Sequence, residues 1–147
     1  MNIIKILFSC LLVLSLSACE SDDFYERDYD ERPLYEIERV LEGRHWTGDV
    51  GVNADSGEPL FSTFCFDLHH RGVEIQYYQS DGFEYASCPF KWYTEFCPIC
   101  GASRIVLDYG PEGVSFMDDV YFRGSSFYGV FFLNRHDHGY DFKLRME

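Results

Sequence analysis

The chain has 147 residues, with 25 acidic against 12 basic side chains, a formal charge of −13 and 18% aromatic residues. That length fits one domain built on a single core. The charge repels polyphosphate, which excludes DNA and RNA as partners, and 14 Phe, 11 Tyr and 2 Trp exclude a disordered chain.

The first segment in chain order is an address. Lys5 gives a short positive start, and Ile6 to Leu16 is apolar apart from Ser9, Cys10 and Ser15. The run is too short to span a bilayer as a helix. Leu16-Ser17-Ala18-Cys19 follows. This stretch resembles a bacterial lipoprotein lipobox, which implies that residues 1–18 are a signal peptide and that Cys19 is acylated and becomes the mature N-terminus. An ordinary secreted protein with a chance cysteine is the alternative. Acylation converts a soluble chain into a membrane-anchored one, because several buried acyl chains at ~0.8 kcal/mol per methylene hold firmly.

Residues 19–32 form an acidic, flexible spacer: Glu20, Asp22, Asp23, Glu26, Asp28, Asp30 and Glu31 stand against Arg27 and Arg32. Acidic residues just behind a lipidated cysteine resemble the surface-export signal of Bacteroidetes lipoproteins. The resemblance implies a lipid-anchored protein of the outer membrane, on the cell surface; a plain tether is the alternative.

Residues 33–147 are the folded domain. Pro33 opens and Gly43 closes a helical rhythm in which Leu34, Ile37, Val40 and Leu41 share a face. From there the period is two. Strands are expected over 46–53, 60–68, 73–79, 83–96, 104–109, 114–122, 127–134 and 140–146. Val73, Ile75 and Tyr77 share one face of the third, Glu74 and Gln76 the other. The fourth is expected to bend or bulge at Cys88-Pro89, where proline denies a ladder hydrogen bond, and the sixth to be irregular at Asp118-Asp119. Short connections and the lack of crossover helices make neighbours antiparallel. Eight such strands predict an up-and-down β-barrel with one short N-terminal helix, closed so that no edge is exposed; a two-sheet sandwich is the alternative.

Short helix, then Gly43-Arg44-His45-Trp46, resembles the opening of a lipocalin-type barrel, with one residue more than the usual Gly-x-Trp. Leu41-x-Gly43-x-x-Trp46-x-Gly48-Asp49, Gln76-x-Tyr78, Phe90-x-Trp92, Ile105-x-Leu107-x-Tyr109, Phe127-x-Gly129 and Phe142-x-Leu144 run in the order seen in small lipocalin-like lipoproteins of Bacteroidetes. The resemblance covers residues 41–145. It implies the fold and the address and brings no catalytic residues with it.

Two constellations bear on chemistry. Cys97-Pro98-Ile99-Cys100-Gly101 has the spelling of a zinc knuckle, a redox dithiol or a cysteine-bearing turn. A second knuckle is missing, and a strand follows where a thioredoxin-type dithiol needs a helix, so a structural turn is expected. Cys65, Cys88, Cys97 and Cys100 are the disulfide candidates, with pairing open. A metal site of Cys97, Cys100, His69 and His70 is the remaining alternative, since both turns belong to one end of such a barrel. His136-Asp137-His138 is expected to be a turn, and Asp118-Asp119 lacks calcium-loop spacing. No G-x-S-x-G or H-E-x-x-H occurs.

Trp46, Phe64, Phe66, Trp92, Phe116 and Phe142 are expected inside the barrel. The first expectation for function is a non-enzymatic, cofactor-free lipoprotein that binds a small apolar or aromatic ligand through Trp46, Phe64, Phe66 and Trp92, or that binds a protein of the envelope. The second is an accessory envelope subunit with a filled barrel and no ligand.

Overall fold

A computed structural model of the chain describes residues 32–97, 99 and 101–147. Cys19, the lipobox and the acidic spacer up to Glu31 lie outside them. The described residues form one α-helix, α1 (Arg32–Leu41), and eight strands: β1 (Arg44–Gly48), β2 (Leu60–Asp67), β3 (Arg71–Tyr78), β4 (Glu84–Cys97), β5 (Ala102–Asp108), β6 (Val114–Arg123), β7 (Ser126–Phe132) and β8 (Tyr140–Met146). Each strand pairs antiparallel with the next, and β1 closes on β8 through Trp46↔Met146 and Thr47↔Arg145. The architecture is a closed, up-and-down barrel, and the sandwich is excluded.

The helix forms for the reason its sequence gives. Ile37 and Leu41 are buried and Leu34 and Val40 half-buried, on one stripe. Gly43, at φ 70°, stops the helix in a left-handed conformation that a side chain resists. Its N–H then donates to Phe66 O at 2.7 Å, which ties the corner to β2. The Thr94 hydroxyl donates to Glu38 Oε1 at 2.8 Å and fixes the helix against β4.

Up-and-down winding gives the barrel two ends. α1 and the 68–70, 98–101 and 124–125 turns lie at one, the helix end. The 49–59, 79–83, 109–113 and 133–139 connections lie at the other. The helix end is solid. Ile37 and Leu41 join Trp46, Phe66, Trp92, Ile105, Met117, Phe127 and Leu144 in one apolar cluster. Trp46 meets Phe122 and Phe127 with ring centroids 5.5 Å away in each case, and Phe66 meets Trp92 edge-on at 5.3 Å.

Several local expectations are corrected. The first strand ends at Gly48, not Asn53; Asn53 returns to form a lone bridge with Pro59. β4 keeps register through Cys88↔Glu74 and Pro89↔Val73, and slips earlier, where Gln76↔Ala86 is followed by Tyr77↔Glu84. β5 reaches only as far as Lys91 along β4, so Pro89 has a ladder neighbour on one side alone and breaks nothing. Phe116 does not line the interior. Met117 joins the apolar cluster, so alternation turns Phe116 outward, where Arg104 and Arg135 cover its ring at 4.9 and 5.6 Å. The irregularity at Asp118-Asp119 is present: Asp119 has φ 51° and the β6–β7 register shifts there.

Candidate functional site

At the end away from the helix, the barrel interior changes character. The register Ser62↔Gln76 and Phe64↔Glu74 puts Glu74 and Gln76 on the same face as Phe64, a core residue. The polar face of β3 therefore points inward, and Val73, Ile75 and Tyr77 point outward.

Glu74 is only 3% exposed. Its Oε1 accepts from Ser62 Oγ at 2.6 Å and from Gln76 Nε2 at 2.9 Å, and its Oε2 accepts from Tyr109 Oη at 2.6 Å. Leaving a buried carboxyl without such partners is costly, so donors from β2, β3 and the β5–β6 connection form one unit with it. Among the described residues no cation reaches Glu74 within salt-bridge distance. Burial, and then the Glu74 carboxylate beside it, hold the Tyr109 phenol well above the ordinary tyrosine range.

Glu74, Gln76 and Tyr109 of this unit line a cavity of about 720 Å³, together with Val52, Cys88, Ser115, Phe131 and Leu133. Such a volume lies within the ~300–1,000 Å³ typical of small-molecule sites. Its wall next to β4 is Ser87, Cys88 and Pro89, and the facing wall is Glu112, Gly113 and Val114. These are the stretches where β4 has outrun β5, so the cavity exists because the ladder ends. Among the described residues its lining holds two acids, Glu74 and Glu112, and no Lys, Arg or His. Arg71 and Lys91 line a separate cleft of about 360 Å³ beside Pro89 and Tyr109.

The expected ligand residues sit elsewhere. Trp46, Phe64, Phe66 and Trp92 are all 1% exposed or less, in the apolar cluster, and none lines the cavity. Phe64 packs on Phe131, a residue of the lining, with ring centroids 6.2 Å apart. The Trp92 indole N–H donates to Arg71 O at 3.0 Å, whereas the buried Trp46 indole N–H meets no acceptor among the described residues.

The cysteines divide by face. Cys65 lies opposite His45 and Val73 on the outer face, and Cys88 lies opposite Glu74 on the inner one. Both are free thiols. With β3 between them and opposite faces, they do not bridge each other. Burial raises both thiols, aided by Asp67 and Glu147 at Cys65 and by Glu74 and Glu112 at Cys88, which disfavours the reactive thiolate. At Cys97–Gly101 the chain makes a turn, the Gly101 N–H donating to Cys97 O at 2.8 Å. Ile99 is exposed there, and Cys100 lies outside the described residues. His69 and His70 are exposed, at φ 65° and 57°, and the His70 ring packs 5.0 Å from Trp92. Among the described residues no three His, Cys, Asp or Glu side chains converge on a metal position. In the β7–β8 connection, Asn134 accepts from the His136 N–H and donates to Asp137, an arrangement of turn chemistry.

No family model, curated protein or solved structure matches the chain.

The site residues missed in the sequence are Glu74, Gln76 and Tyr109. For Glu74 and Gln76 the signal was present: a strand that alternates Val73, Ile75 and Tyr77 with Glu74 and Gln76 separates two faces but does not say which is inside.

Proposed function

We propose that the protein is a non-enzymatic lipoprotein, anchored through Cys19 in an outer membrane and facing the cell surface, that holds a small ligand in the open half of its barrel. The ligand has an apolar or aromatic body. The single observation that carries this reading is the cavity of about 720 Å³, bounded by Val52, Phe131 and Leu133 on apolar sides and by Glu74, Gln76 and Tyr109 at a polar wall. Apolar lining with a few convergent polar groups is the composition of a small-molecule site. The reading needs no cofactor. The address rests on the lipobox and the acidic spacer, and on the ordered motifs that resemble small lipocalin-like lipoproteins of Bacteroidetes. The accessory-subunit reading asks for a filled barrel, and the cavity supports it less.

N-phenyl-1-naphthylamine, an uncharged fluorophore that brightens in apolar surroundings, tests the cavity. Saturable, stoichiometric enhancement is expected. Val52→Trp, which fills the space from its lining, should abolish it without loss of fold. Absence of enhancement, or enhancement indifferent to Val52→Trp, would overturn the reading. Cys19→Ser tests the address separately: the variant should leave the membrane fraction, and retention would refute the anchor.

A further inference from the structure

The cavity wall carries a buried carboxylate, Glu74, to which three side-chain donors among the described residues are directed. A carboxylate offers about four acceptor positions. On Glu74, Oε1 has both positions filled, by Ser62 and Gln76, and Oε2 has one, filled by Tyr109. Among the described residues no second donor reaches Oε2, on a side chain that is 3% exposed and lines the cavity. The second acid of the lining, Glu112, adds negative potential from the rim, and no base of the lining offsets either. Charge in such a partly enclosed, low-dielectric space acts more strongly than at a surface.

We propose that the ligand carries a cationic amine, which donates to Glu74 Oε2 while its apolar or aromatic body rests against Phe131, Val52 and Leu133. The proposal rests on the cavity reading above and adds the chemical class of the ligand. Ser62, Gln76 and Tyr109 then act as positioning residues. They hold the carboxylate in one orientation before the ligand arrives, so little ordering remains for binding to offset. An anionic ligand of the same shape is disfavoured twice, by Glu74 and by Glu112.

Three probes sharing a naphthyl body separate the proposal from the reading beneath it: 2-(1-naphthyl)ethylamine, cationic at pH 7; 1-ethylnaphthalene, neutral; and 3-(1-naphthyl)propanoate, anionic. Affinities are measured by displacement of N-phenyl-1-naphthylamine from the natural chain. The cation should bind about ten-fold tighter than the neutral probe, and the anion weakest, as a charge-assisted hydrogen bond requires. Glu74→Gln should bring the cation to the affinity of the neutral probe and leave the neutral probe within about three-fold. If the neutral probe binds and the cation binds no tighter, the amine assignment falls and the cavity reading stands. If none of the three binds, the cavity reading itself falls. Should Glu74→Gln not fold, the ranking of the three probes on the natural chain still decides.

Discussion

The two ends of this barrel are made by the same eight strands and differ in what faces in. Toward the helix, the interior is Trp46, Phe66, Trp92, Phe127 and Leu144, none more than 1% exposed, with α1 laid across the end. Away from it, Glu74, Gln76, Tyr109 and Ser115 border a cavity of about 720 Å³. An eight-stranded barrel can be filled by side chains or can hold one small ligand. Here each solution occupies one half. The solid half supplies the stability that the hollow half, with its buried carboxyl and unfilled volume, does not. The contrast is measurable, because substitutions of equal size should cost different amounts at the two ends.

The largest effect is expected at Trp46. Trp46→Ala removes a 1%-exposed indole that packs on the stacked rings of Phe122 and Phe127. It should cost ~3–5 kcal/mol, a large share of a domain's ~5–15. Urea unfolding checks this. Trp46→Phe should cost far less, because it keeps an aromatic body and removes an indole N–H that meets no acceptor among the described residues. A midpoint unchanged by Trp46→Ala would break the contrast at its solid end.

The sequence carried the solid end well and the hollow end badly. The strands were legible because turn chemistry punctuates them: Asp55-Ser56-Gly57, Asp81-Gly82 and Pro111-Glu112-Gly113 stand between the runs of period two. Trp46 was legible as interior from its place just after the helix–strand corner at Gly43. What was not legible is where the interior ceases to be apolar. That depends on how far β5 runs beside β4, and therefore on the register at Lys91↔Asp108, a relation between strands with no local signature. Phe116 was misplaced for the same reason. Its neighbours settle its face, and two arginines make the outward position tolerable.

The middle effect belongs to the hollow end. Tyr109→Phe leaves the ring, which packs on Phe90 at 5.6 Å, and removes the 2.6 Å hydrogen bond to Glu74. Near neutral pH it should cost ~1.5–3 kcal/mol, the range for a hydrogen bond to a charged group. The pH dependence has a definite sign. Tyr109 is raised above its ordinary value of 10, so the folded protein keeps this proton where the unfolded chain loses it. Its stabilisation is complete below pH 10 and declines as pH rises through the folded value. The stability difference between the natural protein and Tyr109→Phe should therefore shrink above pH 10 and be flat below it. A difference that grows with alkalinity would mean that burial and the neighbouring Glu74 do not hold Tyr109 as a phenol.

The smallest effect tests the boundary between the halves. Gly72 faces inward opposite Phe66, with Phe90 on its other side. A Cβ there would lie 2.5 Å from the Phe90 ring and 2.6 Å from Cys65 O. The ring can shift, but the carbonyl belongs to the β2–β3 ladder and cannot without disturbing it. Gly72→Ala should thus cost ~1–3 kcal/mol, the range for overpacking a filled interior, although alanine is ordinarily better than glycine within a strand. Val52→Leu, which adds one methylene at the cavity lining, should stay within ~0.5 kcal/mol, as for a site with room to spare. Thermal or urea unfolding of the two variants side by side gives the answer directly. If Val52→Leu costs as much as Gly72→Ala, the hollow half is packed as tightly as the solid one, and the space for a ligand is not there in solution.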